Sequence, residues 1–503
     1  MNPALAEALA DLPVLLGDHL RLSIAALLVA MLAGFPLIVA VSAMPRARSG
    51  LLAAVSAIQT VPAIALLALF YPMLLLLAQA TGVGIPALGF LPSLLALALY
   101  ALLPIMRNGA AAFASLPPEL VEAADGTGMT RAERLRLVEL PLGAPVILAG
   151  LRTAAVWTIG TATLSTTVGQ PGLGNLIFSG LQTENWIRVL VGCVAAAALA
   201  LAVDALLGLV ESGVARRSRR RWAIGLAGLG ALAGAALLPG ADAAPGRREA
   251  PLAVIGAKNF SEQYILAALI EKRLQEAGYR TERRDDLGSA VAYRALAERD
   301  IDVYVDYAGT LWGTVLGRTD NPPPQTMTET LRSQLRARDG VILLGGLGFD
   351  NAYTFAMRRD RAERLGIRSI ADLSRQSPGL TLGTDIEFQS KPEWTAVADA
   401  YALRFAATRA YSPTFMYRAL IDGSADVISA FSSDGRIAAL GLVTLEDPKR
   451  AFPGYEAVLL LSRRVAEDEK LVRTLRPLGG AIPLGLMQQA NHLVDRDADK
   501  QTP

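Results

Sequence analysis

The sequence predicts two unlike parts in one chain: an all-α polytopic membrane domain, then a two-lobed α/β domain. Three observations carry this. Long apolar runs of membrane-spanning length follow one another up to about residue 241. From about residue 250 the chain turns mixed and charged, and that part holds all six lysines and ten of the twelve tyrosines. There, short apolar strands alternate with amphipathic helical stretches, the pattern of an α/β domain with largely parallel sheets. Hydrophobic residues make up 52% of the 503 residues, mean hydropathy is +0.37, and the excess sits in the first half.

Several function classes are excluded early. The formal net charge of +2 gives no global basic field for nucleic acid. Cys193 is the single cysteine and lies in an apolar run, so no intrachain disulfide or multi-thiolate metal site forms. The two histidines, His19 and His492, stand near opposite ends, which argues against a His-based triad or zinc centre. No catalytic residue, metal or cofactor is expected.

A bilayer core takes about 20 apolar residues per helix. Spans are expected at 21–43, 51–78, 86–105, 146–168, 187–213 and 223–241. The second is long enough to break at Pro62 or Pro72, so five to seven crossings are expected. Arg46 and Arg48 follow the first span, Arg107, Arg131, Arg134 and Arg136 the third, and Arg216, Arg217, Arg219, Arg220 and Arg221 the fifth. The connections around 79–85 and 169–186 carry no Lys or Arg. The basic loops therefore share the cytoplasmic side, and the N-terminus and everything after residue 241 lie outside. The stretch 216–248 reads either as an uncleaved sixth span and tether or as an internal signal-like segment ending at Ala241-Asp242-Ala243. The expected domains are 1–215, this connecting segment, an outer domain over 249–494 and a disordered tail at 495–503.

Between the third and fourth spans, Pro117-Pro118 opens a helix on which Glu119, Glu122 and Asp125 recur at helical spacing. Gly126 and Gly128 stop it, and a second amphipathic helix is expected to about residue 140. A helix–Gly–helix elbow on the arginine-rich side is suited to docking another protein. Glu122, Ala123, Ala124 and Gly128, followed by Leu140 and Pro141, resemble the EAA loop of bacterial ABC-importer permeases, with Val138 where that pattern has isoleucine. The resemblance implies that this loop seats in a groove of a cytoplasmic ATPase. No G-x-x-x-x-G-K-[ST] phosphate loop occurs in the chain, so the ATPase must be a separate polypeptide. The family also implies a second copy of this chain, since one copy supplies one coupling loop.

In the outer half, strands are expected at 252–256, 301–305, 341–345, 353–357, 380–383 and 427–429, with a helix over Glu262–Ala277. Gly256–Gln263 follows a strand and opens that helix, a place where ligands collect. This segment, Asp302–Thr310, Leu347–Tyr353 and Phe431–Gly435 resemble the extracytoplasmic binding proteins of osmoprotectant importers over roughly 250–494. The resemblance implies a periplasmic-binding-protein fold of the second structural type. It also implies capture of glycine betaine, choline, carnitine or related quaternary amines between two lobes that close about crossings near 349–352 and 455.

A trimethylammonium group donates no hydrogen bond, so its recognition needs π faces, each contributing roughly 0.5–2 kcal/mol when desolvated. Matched by motif position, the cage is expected from Tyr307, Tyr353, Phe431 and Tyr455, with Tyr417 and Trp394 as spares for the second lobe. Phe431 stands where the pattern has tyrosine. A betaine carboxylate would be met by Lys258, Thr310 and Lys391, the last where the pattern often has arginine. Asp286 and Ser289 are candidates for tuning between betaines and choline. The expected function is a permease fused to its receptor, importing quaternary-ammonium osmoprotectants with energy from a separate ABC ATPase. An amino acid or other small polar solute on the same machine is the alternative. A membrane-anchored sensor is a third, though it has no use for the EAA spacing.

Overall fold

The computed structural model describes residues 3–42, 44–183, 185–237, 250–318, 320–496 and 501. The chain divides into two compact units, residues 1–177 with 187–244, and 245–503 with 178–186.

The first unit is built from helices Pro3–Val41, Pro45–Thr60, Ala63–Thr81, Phe90–Ala114, Pro118–Gly126, Leu140–Ala162, Trp186–Ala215 and Arg219–Leu237. Among the described residues, five stretches are long and apolar enough to cross a membrane: Leu5–Val41, Ala63–Thr81, Phe90–Ala114, Arg131–Val168 and Trp186–Ala215. The first begins well before residue 21, so polar Asp11, Asp18 and His19 lie on it. The expected 51–78 span breaks at Pro62, because the residue before proline avoids the helical region: Val61 is extended at φ −74° and ψ 126°. Pro72 stays inside the following helix.

Helix packing in this unit relies on small residues, which let backbones approach where no hydrophobic drive separates helix from lipid. A Cβ on Gly150 would lie 2.5 Å from the Asn108 Cβ and 2.9 Å from the Pro104 carbonyl oxygen. Helices 90–114 and 140–162 therefore meet only because position 150 is glycine. The sixth expected span forms helix Arg219–Leu237, whose three leading arginines dilute its apolar character. It packs on the first helix, and the Arg21 Nε donates to the Ala236 carbonyl at 2.5 Å. Ala241–Ala243 and the tether to residue 249 lie outside the described residues, as does most of the expected tail.

Among the described residues the second unit carries ten strands: β1 (Leu252–Lys258), β2 (Arg280–Leu287), β3 (Val303–Tyr307), β4 (Ile342–Asp350), β5 (Tyr353–Arg358), β6 (Thr381–Thr384), β7 (Ala407–Ala410), β8 (Val427–Phe431), β9 (Leu442–Thr444) and β10 (Glu456–Leu461). They form two five-stranded sheets, in the order β2-β1-β3-β10-β4 and β7-β6-β8-β5-β9. Each sheet is the centre of one lobe. The strands β1, β2 and β3 are parallel, as are β6, β7 and β8. The expectation of largely parallel sheets fails at β10 and β5, which run antiparallel to their neighbours. These are the strands by which the chain enters a lobe from the other one, so no crossover helix sets their direction.

The chain passes from the first lobe to the second at Asn351–Ala352 and returns through residues 445–455. The two crossings are tied by the Asn351 N–H donating to the Tyr455 carbonyl at 2.9 Å. A last helix, Leu484–Asp495, packs on helix Ser261–Glu276 and β4 of the first lobe and on the short helix Arg436–Ala439 of the second.

Candidate functional site

The elbow in the first unit is set by local chemistry. Helix Pro118–Gly126 ends in a turn where Gly128 adopts φ +79°. A Cβ there would meet no atom within 4 Å, so glycine is required for its backbone, not for space. A capping box between Thr130 and Glu133 restarts the helix. That helix does not stop near residue 140 as expected; it passes through a π-helical stretch, Leu135–Glu139, and continues without a break into Leu140–Ala162. Arg134 fixes the bend by donating to Asp125 at 2.6 and 2.7 Å and to Glu139 at 2.8 Å. Ala124 is buried, whereas Glu122, Ala123, Gly128 and Pro141 are exposed and Leu140 is half-buried. Leu120, Leu137 and Leu142 are exposed near them, so the elbow presents apolar and acidic groups together.

In the second unit an aromatic group gathers where the crossings pass between lobes. Tyr353 opens β5 and pairs in register with Phe431, the last residue of β8. Their ring centroids are 4.6 Å apart. The Tyr455 ring, on the return crossing, stands edge-on to Tyr353 at 5.5 Å. Phe388 lies 4.8 Å from Tyr353. From the first lobe, Phe260 stacks on Phe431 at 6.5 Å and on Tyr307 at 6.2 Å. Tyr307, Tyr353, Phe431 and Tyr455 thus lie in one aromatic group, with rings from both lobes and a crossing.

The polar candidates fare unevenly. Lys391 caps the helix Pro392–Tyr401, and its Nζ sits 5.2 Å from the Tyr353 ring centroid. Thr310 is buried in the short helical segment Ala308–Thr310 that follows β3, beside Gly309, where a Cβ would press to 2.9 Å on the Tyr455 ring. Lys258 does not stand ready for a ligand carboxylate. It is fully buried and ion-paired with Asp306, which also accepts the Tyr304 hydroxyl and, at 2.8 Å, the Tyr307 N–H. Its Nζ lies 5.3 Å from the Tyr307 ring centroid, so it anchors that tyrosine from inside the lobe.

Tyr417 is also placed elsewhere. It packs with Met416, Leu420 and Ile428 in a separate core, and the Arg436 guanidinium covers its ring at 4.1 Å. Arg436 is in turn held by Asp434 at 2.7 Å. Trp394 leans on Phe388 at 5.7 Å. Asp286 is buried and accepts the Tyr264 hydroxyl, which accounts for it without a ligand; the side chain of Ser289 lies outside the described residues.

Five residues absent from the sequence-derived set belong to this neighbourhood: Phe260, Glu262, Asn351, Glu393 and Asn491. Phe260 bridges the lobes as described. Glu262 is buried and accepts from the Tyr307 hydroxyl at 2.6 Å and from Asn351 and Asn491 side-chain amides, each at 3.0 Å. Burial pushes its carboxyl above the ordinary range, against the pull of those donors. The same burial, with the Glu262 charge beside it, raises the Tyr307 hydroxyl well above its usual value. Asn491 also donates to the Ser433 carbonyl at 2.9 Å, tying the last helix to the second lobe. Glu393, in the helix after Lys391, accepts from the Tyr455 hydroxyl at 2.5 Å. Phe260, Glu262 and Asn351 lie within motifs already quoted; Glu393 gave no signal beyond its place in the first turn of a helix. A separate cavity of about 510 Å³, lined by Thr328, Arg332, Asp350 and Glu456, holds a single ring, Phe349, and so lacks π faces for a cation.

Residues 26–216 match the family described as binding-protein-dependent transport system inner membrane component. Residues 253–503 match the substrate binding domain of ABC-type glycine betaine transport systems. The choline transport system permease protein OpuBB of Bacillus subtilis (strain 168) is 38% identical over 194 residues, 39% of this chain and 84% of that protein. The ergothioneine transport permease/ergothioneine binding protein EgtU of Helicobacter pylori (strain G27) is 29% identical over 465 residues, 90% of this chain and 81% of that protein. A solved structure titled as a glycine betaine/carnitine/choline ABC transporter is 25% identical with a TM-score of 0.43, covering 48% of this chain and 92% of that one. The chain belongs to the osmoprotectant-type ABC importers: it is a permease fused to its substrate-binding domain, a multi-pass inner-membrane subunit that works with a separate ABC ATPase.

Proposed function

We propose that this chain captures a trimethylammonium solute between the lobes of its outer domain and imports it through its own membrane half. The observation that carries this reading is the convergence of Phe260, Tyr307, Tyr353, Phe431 and Tyr455 from two lobes and a crossing. Such a surface suits a cation that offers no hydrogen bond. The names of the relatives support it: choline and ergothioneine both carry a trimethylammonium group. Lys391, beside Tyr353, and Thr310 are the groups nearest at hand for a carboxylate.

The sequence of events follows from the parts. Ligand draws the lobes together about Asn351–Ala352 and residues 445–455. The closed domain, on the extracytoplasmic side, docks on the permease. ATP binding in the partner ATPase then acts through the elbow around Glu122–Gly128, with two copies of the chain completing the transporter. Attachment keeps the receptor at an effective concentration of roughly millimolar for a short linker.

Calorimetry on the full-length protein in lipid nanodiscs tests the reading. Glycine betaine, choline, carnitine and ergothioneine are titrated beside a panel of amino acids. Binding of at least one trimethylated compound, with no response to amino acids, is expected. Binding of amino acids alone would overturn it in favour of the other solute class.

A further inference from the structure

The aromatic group explains how a methylated cation is held but leaves one strong acceptor beside it unused. Glu393 belongs to the second lobe, two residues after Lys391, and is 8% exposed. Its Oε1 accepts from the Tyr455 hydroxyl at 2.5 Å. Its Oε2 is buried and has no hydrogen-bond partner. The carboxylate forms no ion pair among the described residues. It also reaches the first lobe, for a Cβ on Gly313 would lie 3.5 Å from Oε1. Gly313 follows Thr310 by three residues, and the Tyr455 ring that holds Glu393 stands edge-on to Tyr353. The open acceptor therefore sits against the aromatic group where the lobes meet.

Glu262, the other buried carboxylate nearby, makes the contrast. It accepts side-chain donors on both oxygens and has no need of a ligand. A buried acceptor left unpaired is costly, and a charged one more so, which is why such groups are nearly always satisfied. In Glu393 the tyrosine satisfies one oxygen, and the other still calls for a donor.

Resting on the trimethylammonium reading above, we infer that Glu393 Oε2 accepts a hydrogen bond from the ligand, so that the domain selects trimethylammonium compounds that also carry an N–H or O–H donor. Glycine betaine has no such donor and is a poor ligand by this criterion. Alcohols of the choline type and betaines bearing a ring N–H have one. A site built around a substrate donor rejects the analogue that lacks it far more strongly than an apolar pocket rejects a change of size.

The experiment uses the full chain in nanodiscs and matched ligands that keep the cation and remove only the donor. Choline is compared with its O-methyl ether, and ergothioneine with its derivative methylated at both ring nitrogens, by calorimetry. Within whichever pair binds, the donor-bearing member is expected to bind about tenfold tighter or more, the scale of a hydrogen bond to a charged group. Glu393→Met is expected to bring that ratio to within about twofold, because a side chain of similar length then offers the ligand no oxygen acceptor. Equal affinities within both pairs for the unaltered protein overturn the inference and leave the trimethylammonium reading standing. If no member of either pair binds but glycine betaine does, the inference is overturned and the trimethylammonium reading stands; if no trimethylated compound binds at all, that reading itself fails. The wild-type comparison decides the matter even where the variant does not fold.

Discussion

On the function proposed above, the elbow of the first unit and the aromatic cleft of the second are both recognition surfaces, but they are assembled over different distances. The elbow is a local object. Its bend, cap and internal ion pairs come from residues between Pro118 and Pro141, and each contact spans less than three helical turns. The cleft takes Phe260, Tyr307, Tyr353, Glu393, Phe431 and Tyr455 from six segments and two sheets. A surface of the first kind announces itself by spacing. In one of the second kind, each side chain's role is set by a partner far away in sequence.

The largest expected effect therefore comes from the smallest lesion in the elbow. Gly128→Val puts a β-branched residue at φ +79°, a conformation it adopts only under strain. Uptake of radiolabelled ligand into proteoliposomes with the ATPase is expected to fall to background. Ligand affinity, measured by calorimetry on the same preparation, stays within about twofold, since nothing in the outer domain changes. Glu122→Lys gives the same split by reversing a charge on the exposed face. If affinity fell together with uptake, the two surfaces would not be separable and the comparison would break.

Lys258 tests the cleft's dependence on distant partners. With its ammonium committed to Asp306 inside the first lobe, Lys258→Met leaves a carboxylate buried with the Tyr304 hydroxyl and the Tyr307 N–H. Breaking a buried pair by removing one partner costs about 3–5 kcal/mol. Hydrogen exchange across β3 and β10 is expected to accelerate accordingly, and Lys258→Met with Asp306→Leu recovers much of the loss. Were Lys258 instead a ligand contact, the single variant would weaken binding of betaines alone and leave exchange untouched.

How much of this was readable in the sequence follows the same division. The elbow residues Glu122–Gly128 and Leu140–Pro141 fall where helical spacing puts them, and the break at Pro62 follows from the stereochemistry of proline. The span boundaries were harder, because polar Asp11, Asp18 and His19 hide a helix that starts at residue 3. In the outer half, β1, β5 and β8 were legible as apolar runs. β2 was not, since Arg280–Leu287 is an edge strand paired only with β1, and charge on an edge is how strands avoid unwanted pairing. Lysine chemistry at 258 was legible only as a charge near a strand end. That the charge faces Asp306 is a fact of register between β1 and β3, which the local sequence does not carry. Tyr417 has the same lesson from the other side: as a tyrosine near the cleft it was a fair spare, but Arg436, nineteen residues on, takes its ring face.

Within the cleft itself, Tyr353 touches the rings of Phe388, Phe431, Phe452 and Tyr455. Tyr353→Ala removes one π face and loosens the others, and a loss of roughly ten- to a hundredfold in affinity is expected for any trimethylated ligand. Tyr417→Phe, matched against it, keeps the ring under Arg436 and is expected to shift affinity by less than about twofold. A large effect at Tyr417 would return it to the binding surface and undo the separation of the two clusters in the second lobe.

The smallest effect concerns how Glu262 holds the lobes and the last helix together. Its carboxyl takes donors from Ser433, Tyr307, Asn491 and Asn351, yet burial outweighs them and raises its proton affinity above that of the unfolded chain, where a glutamate titrates near 4.5. Between that value and the raised native one, the folded domain keeps a proton that the unfolded chain releases. Stability then falls as pH rises through this window, by at most about 1.4 kcal/mol per pH unit for one proton. The contribution is complete below the unfolded value and gone above the native one. Glu262→Gln cannot titrate and loses this slope, although its amide also rearranges the bonds to Asn351 and Asn491. The offset between variant and parent is therefore not diagnostic, but its pH dependence is. Opening free energies from hydrogen exchange on helix Ser261–Glu276, taken from pH 4 upward, should show the variant gaining steadily on the parent before levelling off. A difference independent of pH would mean that burial and the donors cancel, and a variant that instead loses ground as pH rises to about the unfolded value would mean that the donors govern this carboxylate and Glu262 stays charged where the lobes meet.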